Sequence, residues 1–250
     1  MVINKEIVAQ RFGKNVSTYN TEAFIQKRIC KELYRKLISV KDSYNSVFEI
    51  GCGTGFLSKQ AIPHVSDTYF ANDLGVSCTH QLLKDYPSIN FIEGDAENVK
   101  YPERLDLVLS SSAFQWMTDR ERLLKRINQS LNKDGLLAFS TFGPSNFEEL
   151  KTTLNEGLEY GTLTHWRKLT EEAGFEVLSA WEWKTQLIFS QGTDVLKHIK
   201  KTGVGGCANA NSIWTKSKLI AFNDKYQSHF PKENGVQLTY HPIFIIAKKK

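Results

Sequence analysis

The spacing of hydrophobic residues along the chain predicts an α/β fold. Between residues 46 and 142, short apolar runs alternate with segments in which apolar residues recur every three or four positions. Short apolar runs predict strands buried on both faces of a sheet, and the recurring pattern predicts amphipathic helices. Strands that alternate with crossover helices predict a mainly parallel sheet with helices on both faces.

Five strands and three helices are predicted in this region. The strands cover residues 46–50, 68–73, 90–93, 105–111 and 135–142, and the helices cover residues 56–64, 77–85 and 119–131. A helix is also predicted before the first strand, over residues 21–38. Its apolar stripe consists of Ile25, Ile29, Leu33 and Leu37, and Asn20 or Thr21 can cap its N-terminus.

The second half of the chain has a different pattern. Residues 175–189 and 237–247 are rich in β-forming side chains and predict two long strands that join the same sheet, which then has seven strands. Helices are predicted over residues 147–158, 163–173, 194–201 and 216–230. We therefore predict a single domain over residues 1–250, with an N-terminal helical lid (1–40), a ligand-binding core (44–142) and an α-helical cap insertion (190–235).

Composition narrows the class of protein. The chain has 250 residues, of which 41% are hydrophobic and 24% are charged, as is usual for a globular domain. Its four cysteines, Cys30, Cys52, Cys78 and Cys207, show no metal-ligand spacing, which predicts reduced thiols and no metal site. The first residues are polar and charged, and no apolar run approaches the ~20 residues of a membrane helix. We expect a cytoplasmic protein that does not enter the membrane.

A glycine-rich turn follows the first predicted strand. Residues 47–56 read VFEIGCGTGF, so Gly51, Gly53 and Gly55 can form a tight turn that a ligand approaches closely. A dinucleotide fold needs the spacing G-x-G-x-x-G around a pyrophosphate. Here the spacing is G-x-G-x-G, and Glu49 lies at the end of the strand before it. A carboxylate there would repel phosphate and attract the ammonium group of an amino acid.

Two further carboxylates follow the next two strands. Asp73 ends the second predicted strand, where it can accept hydrogen bonds from both hydroxyls of a ribose, and Asp95 follows the third. Three acids after three successive strands, together with G-x-G-x-G, resemble the signature of Rossmann-like class I methyltransferases that use S-adenosylmethionine (SAM). This resemblance implies that SAM is the cofactor and S-adenosylhomocysteine the product. The sulfonium already activates the methyl group for in-line displacement, so we expect no metal.

The resemblance also implies which residues bind SAM. The family places its adenine-binding acid at Asp95, with Ala96 beside it. The implied cofactor-binding residues are Glu49, Gly51, Cys52, Gly53, Gly55, Asp73, Leu74, Asp95, Ala96 and Ser111.

Three other segments resemble the malonyl-acyl-carrier-protein O-methyltransferases of biotin synthesis. They are residues 11–20 (RFGKNVSTYN) with Ala23 and Gln26, residues 110–116 (SSSAFQW), and residues 238–242 (LTYHP). The resemblance implies methylation of the free carboxylate of a malonyl thioester, giving the malonyl methyl ester that primes pimeloyl synthesis. Such a carboxylate is already a nucleophile, so the site needs groups that orient it and exclude water.

Candidate substrate-facing residues come from the same segments. Tyr19 is the first candidate, because the N-terminal helix of similar enzymes folds over the cofactor. Gln115 is the second candidate, and Arg11, Gln26 and His241 are weaker ones. A tyrosine at an interface or a glutamine at a helix start can equally serve packing alone.

An acyl-carrier protein would be the macromolecular partner. The chain has a net charge of +5, and carrier proteins are acidic as a class. The basic side chains considered for docking are Lys197, Lys200 and Lys201 in the insertion, and Arg120, Arg122, Lys125 and Arg126 on the helix over residues 119–131. Each of them could equally belong to a solvated surface.

Other functions stay open at this point. The similar trans-aconitate methyltransferases act on a free small acid and would need no docking face. An RNA methyltransferase fits the positive charge, but the chain has no N-P-P-Y motif, no Pro-Cys nucleophile and no separate RNA-binding domain, so no nucleic-acid partner is expected. A non-catalytic SAM-binding protein and an NAD-dependent dehydrogenase are the remaining alternatives.

Overall fold

A computed structural model describes residues 4–203 and 214–250 of the chain. Cys207 lies outside these residues. The helices are α1 (Lys5–Lys14), α2 (Val16–Glu22), α3 (Phe24–Ile38), α4 (Ser58–Ala61), α5 (Val76–Asp85), α6 (Arg120–Ser130), α7 (Glu148–Leu154), α8 (Leu163–Glu172), α9 (Gly192–Lys201) and α10 (Lys216–His229). The strands are β1 (Tyr44–Ile50), β2 (Val65–Asp73), β3 (Asn90–Glu93), β4 (Leu105–Ser111), β5 (Leu131–Phe142), β6 (Phe175–Glu182), β7 (Thr185–Phe189), β8 (Pro231–Lys232), β9 (Gly235–Tyr240) and β10 (Pro242–Lys249).

The main sheet confirms the predicted fold class. It has seven strands in the order β3-β2-β1-β4-β5-β10-β6. The first five are parallel to one another, and β10 runs antiparallel to both of its neighbours. The strand order reverses beside β1, between β2 and β4. In open α/β sheets, ligands bind outside the carboxyl ends of the strands at such a point.

Helices bury both faces of this sheet. On one face α3 packs against β4 and β5, and its residues Ile29, Leu33 and Leu37 are fully buried. On the other face α6 and α8 contribute Leu124, Ile127 and Trp166. Fully burying one such side chain stabilises the fold by roughly 1.5–3 kcal/mol. Two apolar layers therefore hold the strand ends rigidly in place.

The two late strands differ from the prediction. The segment predicted as one strand over residues 175–189 is divided into β6 and β7, and the segment 237–247 is divided into β9 and β10. β6 and β10 join the main sheet as expected, but β7 and β9 pair with each other and with β8 in a separate three-stranded sheet. Apolar and β-forming residues continue through both breaks, so the pattern conceals them. Only Pro242, which lacks a backbone donor, marks the second break.

The N-terminal region is also more divided than predicted. The helix predicted over residues 21–38 begins at Phe24, and its N-cap residue is Ala23, so neither Asn20 nor Thr21 caps it. α1 and α2 precede it. The C-terminal end of α9 packs against α2, because Thr18 donates to the carbonyl of Lys201 (3.1 Å) and the Lys201 ammonium pairs with Glu22 (2.8 Å). The N-terminal helices and the late insertion therefore form one structure over the strand ends.

Smaller differences have local causes. The helix predicted over residues 56–64 is α4 followed by a 3₁₀ turn over residues 62–64, which contains Pro63. The helix predicted over residues 147–158 ends at Leu154, where Asn155 adopts a left-handed conformation. The predictions for α5, α6, α8, α9 and α10 are confirmed to within two residues at each end. Within the described parts of the chain, no helix is long and apolar enough to cross a membrane.

Candidate active site

The glycine turn after β1 has a geometry that requires glycine. The φ angles of Gly51, Gly53 and Gly55 are 71°, 52° and 84°, and residues that carry a side chain rarely adopt such values. A Cβ atom on Gly51 would lie 2.5 Å from the Cβ atom of Ala113, and one on Gly55 would lie 2.6 Å from Leu82 Cδ1. A Cβ atom on Gly53 would meet nothing within 4 Å. Gly53 therefore faces open space, whereas the other two pack against the protein.

Glu49 lies at the end of β1 beneath this turn and is 1% exposed. Its Oε2 atom accepts hydrogen bonds from the hydroxyls of Ser58 and Tyr69. Burial raises the pKa of Glu49 to about 7, even though both hydrogen bonds favour the charged form. A cation placed beside this carboxyl would shift it to the ionised form.

Asp73 is held by the backbone of two turns. Its carboxylate accepts from the Gly53 amide and from its own neighbour Leu74, each at 2.8 Å. Burial raises the pKa of Asp73, and these hydrogen bonds oppose the rise. Each carboxylate oxygen can accept a second hydrogen bond, so the side chain is fixed in position and still able to bind donors.

Asp95 meets a residue from the first helix. The Lys5 ammonium, at the start of α1, lies 2.6 Å from Asp95 Oδ1 and also pairs with Glu97. Burial raises the pKa of Glu97, but hydrogen bonds from Lys5, Thr118 and Asp119 bring it down to about 2. Glu97 thereby joins α1 to the loop before α6. Neither Lys5 nor Glu97 could be predicted as a site residue, because neither lies in a recognisable motif.

These groups surround one pocket of about 1100 Å³, a volume that includes space open to solvent at its mouth. One wall consists of strand ends and their turns, and the other consists of α1, α2 and α3. The sequence-predicted cofactor residues that line it are Glu49, Gly51, Cys52, Gly53, Asp73, Leu74, Asp95, Ala96 and Ser111. Gly55 does not line the pocket; it lets the turn pack on Leu82.

The two leading substrate-facing candidates are placed differently. Tyr19 lines the pocket, with its ring stacked on Phe56 (centroids 5.5 Å apart), and burial raises its pKa. Gln115 does not line it. Its amide nitrogen donates to the Ser112 carbonyl and its amide oxygen accepts from Thr141 at 3.5 Å, while Trp116 lines the pocket in its place.

Of the three weaker substrate-facing candidates, only one lines the pocket. His241 lies away from the pocket, where it accepts from the Ser145 amide (3.2 Å) and contacts Glu182 (3.0 Å). Arg11 is not among the residues that line the pocket, whereas Gln26 is. Gln26 is 3% exposed, and neither atom of its amide has a hydrogen-bond partner within the described residues.

The pocket fits a polar ligand with an aromatic part. Three side chains that line it have buried polar atoms without a partner in residues 4–203 and 214–250, namely Gln26, Thr54 and Ser112. Ala9, Phe12, Leu74 and Met117 provide apolar surface. Asp73, Asp95 and Glu49 all line it, and open space lies before Gly53. In the same ranges, no group of three or more His, Cys, Asp or Glu side chains could hold a metal ion.

Comparisons with known proteins agree with this geometry. Residues 48–139 match the family model of a methyltransferase domain. A malonyl-acyl-carrier-protein O-methyltransferase from Bacteroides thetaiotaomicron is 36% identical over 264 aligned positions, covering 99% of both chains. One from Acinetobacter baylyi is 34% identical and covers 99% of this chain and 98% of the relative.

A solved structure supports the fold independently. The crystal structure of an S-adenosylmethionine-dependent methyltransferase from Mesorhizobium loti superposes with a TM-score of 0.53 at 15% identity, covering 84% of this chain and 93% of the other. A likeness at this identity concerns the fold alone. With relatives of 34–36% identity over nearly the full length, this chain belongs to the malonyl-acyl-carrier-protein O-methyltransferases and is a SAM-dependent methyltransferase.

Proposed function

We propose that this protein transfers the methyl group of SAM to the free carboxylate of a malonyl thioester carried on an acyl-carrier protein. The product is the malonyl methyl ester, the starting unit for the pimeloyl precursor of biotin. The observation that carries the proposal is the full-length similarity to relatives named for this reaction. The pocket supports it, because its geometry suits SAM and an acceptor that brings its own nucleophile.

We assign the cofactor contacts to the strand-end wall. Asp73 would accept from the ribose hydroxyls, and Asp95 with the Ala96 amide would hold the adenine edge. Glu49 and the glycine turn would hold the amino-acid part. SAM supplies a methyl group that its sulfonium activates, so these residues have only to bind and orient it.

The acceptor needs no general base in this proposal. A malonyl carboxylate is ionised at neutral pH and carries the attacking electron pair itself. No histidine appears among the described residues that line the pocket. Competing nucleophiles are suppressed, because burial raises the pKa of the Cys30 thiol to about 12 and raises those of Cys52 and Cys78. These three thiols line the pocket but remain protonated.

Water must be kept away from a charged acceptor and an activated methyl group. We propose that residues 1–40 act as the lid, since Val8, Phe12 and Tyr19 cover the pocket opposite the strand ends. Lys5 closes the far end through Asp95 and Glu97. Dry surroundings strengthen the attraction between the carboxylate and the sulfonium.

Most of the basic residues considered for carrier docking have structural partners. The Arg126 guanidinium donates to the carbonyls of Ala96, Glu97 and Val99, and Arg120 donates to the Glu159 carbonyl. Lys197 and Lys201 pair with Asp194 and Glu22. Lys200, Arg122 and Lys125 are exposed and form no salt bridge within the described chain. These three of the seven have no such partner within the described residues.

A methyl-transfer assay tests the proposal. Purified protein with SAM is given malonyl-acyl-carrier protein, and separately acetyl-acyl-carrier protein and trans-aconitate. We expect a mass gain of one methylene on the malonyl carrier alone, which alkaline hydrolysis removes. Asp73→Asn is the matched control for cofactor dependence and should lower turnover at limiting SAM. Turnover of trans-aconitate without turnover of the carrier would overturn the proposed acceptor.

A further inference from the structure

We propose that the Gln26 amide binds the acceptor carboxylate and is the residue that recognises the malonyl group. This inference rests on the proposed function and names the part of the pocket that would recognise the acceptor. Gln26 lies on the inner face of α3, is 3% exposed and lines the pocket. Its unpartnered amide costs folding free energy, because a buried polar group without a partner has given up its hydrogen bonds to water. A ligand that accepts from this amide removes that cost.

The position of Gln26 separates it from the cofactor contacts. Cys30, one turn further along α3, contacts Ser111 at the end of β4 (3.3 Å). Cys30 also lies near Glu49, whose charge raises the pKa of the thiol further. One helical turn is about 5.4 Å, so Gln26 lies that far beyond the region of Glu49 and Ser111. The amide is thus placed past the end where the amino-acid part of SAM is held.

The charge of the pocket requires a neutral group to bind the acceptor. Lys5 is the only cation among the described residues that line the pocket, and it is paired with Asp95 and Glu97. A cation bound to the acceptor carboxylate would withdraw the electron pair that must attack the methyl group. An amide N–H orients the carboxylate through a hydrogen bond and leaves a second oxygen available as the nucleophile.

A pair of buried residues lies near the Gln26 amide. His198 on α9 and Tyr240 on β9 are hydrogen bonded at 2.8 Å. Burial lowers the pKa of His198, so the ring is neutral and can donate from Nε2 to the Tyr240 oxygen. Burial raises the pKa of Tyr240, and the nearby Gln26 amide partly lowers it, as an N–H directed toward the phenolic oxygen does. The amide forms no hydrogen bond of good geometry with that oxygen, so its N–H groups can turn to an acceptor in the pocket.

Binding to matched carriers tests this role without requiring turnover. Calorimetry in saturating S-adenosylhomocysteine compares malonyl- and acetyl-acyl-carrier protein, which differ by the carboxylate. We expect the wild-type protein to prefer the malonyl carrier at least 30-fold, and Gln26→Leu to reduce that preference to less than 3-fold. Gln26→Glu, which adds an anion, should bind the malonyl carrier less tightly than the acetyl carrier.

The outcomes separate this inference from the proposed function. No malonyl preference in the wild-type protein would contradict the proposed function itself. An unchanged preference in Gln26→Leu would overturn the role of Gln26 and leave the function standing. A SAM dissociation constant raised more than 5-fold in Gln26→Leu would also overturn it, because the amide would then hold the cofactor. Tyr240→Phe, which keeps the ring, should lose part of the preference.

The outer face of α3 carries an independent inference, again resting on the proposed function. We infer that this face is the docking surface for the acidic carrier. Phe24, Arg28, Lys31 and Arg35 follow the spacing of one helix face, and all four are exposed. Phe24 is 48% exposed, a large value for a phenylalanine. We call these four residues the α3 stripe.

The charge on this helix is not balanced locally. None of its five cations (Lys27, Arg28, Lys31, Arg35 and Lys36) forms a salt bridge within the described chain. The one acid of α3, Glu32, accepts instead from the indoles of Trp181 and Trp183 (2.8 and 2.9 Å). On α8, by contrast, Arg167 and Lys168 pair with acids four residues on.

The location of the α3 stripe suits delivery of an acyl group. Phe24 and Arg28 lie two residues before and after Gln26, on the opposite face of α3, so the stripe is level along the helix axis with the residue assigned to the acceptor. Arg122 and Lys125 on α6 are also exposed, but α6 follows the Thr118 loop that binds Glu97, beside Asp95. The α6 cations therefore lie at the adenine end and provide a matched control.

Charge reversal distinguishes the two faces. We expect Lys31→Glu with Arg35→Glu to raise KM for malonyl-acyl-carrier protein at least 10-fold, with kcat and the SAM dissociation constant within 2-fold of wild type. Arg122→Glu with Lys125→Glu should change KM less than 2-fold. The inference is overturned if the α3 pair leaves KM unchanged, if the α6 pair raises it more, or if kcat falls as far as kcat/KM.

Discussion

The two walls of the pocket are built in different ways. The strand-end wall consists of the carboxyl ends of β1 to β4 and the turns that follow them, and the ends of β1, β2 and β3 each present one acid. The helical wall combines α1, α2 and α3 with support from α9 and β9, which are distant in sequence. The strand-end wall suits a cofactor shared by many enzymes. The helical wall contains the features that would distinguish one acceptor from another.

The glycine turn offers the strongest test of the strand-end wall. Gly51→Ala should lose at least 100-fold in SAM affinity and also unfold at lower temperature. The added Cβ atom would overlap Ala113, and the alanine backbone would have to keep a φ of 71°. These two effects together cost about 2–5 kcal/mol. Gly53→Ala is the control, since its Cβ atom meets no protein atom within 4 Å. It should lose SAM affinity with a smaller loss of stability, as measured by calorimetry and thermal unfolding.

Asp73 should produce the next largest effect. Asp73→Asn keeps the size of the side chain but removes its charge and one acceptor. Hydrogen bonds to a charged group contribute about 1.5–3 kcal/mol, so the SAM dissociation constant should rise roughly 10- to 100-fold. At saturating SAM, kcat should stay within about 3-fold of the wild-type value. A large fall in kcat with normal SAM affinity would mean that Asp73 acts on the acceptor instead.

Tyr19 tests the helical wall. Tyr19→Phe keeps the stacking on Phe56 but removes the hydroxyl. If that hydroxyl helps to orient the acceptor, kcat should fall about 10-fold and the SAM affinity should stay unchanged. A 10-fold change corresponds to about 1.4 kcal/mol, which is the usual contribution of one hydrogen bond. Full activity in Tyr19→Phe combined with loss in Tyr19→Ala would reduce Tyr19 to a packing residue.

Glu49 should have a smaller effect, which is seen in how SAM binding depends on pH. Burial raises its pKa to about 7 in the ligand-free protein, so it contributes stability in its protonated form. That contribution is lost as pH rises from the unfolded value of about 4.3 through 7. The ammonium of SAM favours the ionised form, so SAM should bind several-fold more tightly at pH 8 than at pH 6 and should release protons. In Glu49→Gln, calorimetry should find this pH dependence removed.

The contrast between the walls also explains what the sequence could predict. Glu49, Asp73 and Asp95 lie next to strand ends, and strand ends are marked by local apolar patterns. Their convergence follows from the parallel order of the strands. Lys5 reaches Asp95 across 90 residues of sequence, and Tyr240 reaches His198 across 42. No local pattern encodes such contacts, so the residues of the helical wall could be predicted only from the resemblance to a known family.

Gln115 and Trp116 show that the sequence did not predict which residue of a motif faces the pocket. The segment 110–116 was identified by resemblance, yet the turn after β4 directs Gln115 inward, to Ser112 and Thr141, and places Trp116 at the pocket. Ser112 has a φ of 55°, and this left-handed residue sets the direction of the turn. The sequence around it gives no sign of that conformation, because Ser112 is not a glycine or asparagine.

The missed division of the late strands has a related cause. β7 and β9 leave the main sheet without any loss of apolar character, so a pattern of alternation describes one long strand as well as two. The division bears on the proposed acceptor site, since β9 carries Tyr240, which is hydrogen bonded to His198. Where a strand changes sheets is decided by tertiary packing, and local propensity does not report it.

The central claim is that the acceptor is a malonyl carboxylate on an acyl-carrier protein, bound at the helical wall. Intact-mass spectrometry of malonyl-acyl-carrier protein after incubation with SAM and either wild type or Gln26→Leu tests it most directly. We predict a rapid gain of one methylene with wild type, lost on alkaline hydrolysis, and a gain at least 30-fold slower with the variant at equal SAM occupancy. No gain with wild type while a free acid is methylated would contradict the claimed acceptor, and equal rates for both proteins would contradict its binding by Gln26 at the helical wall.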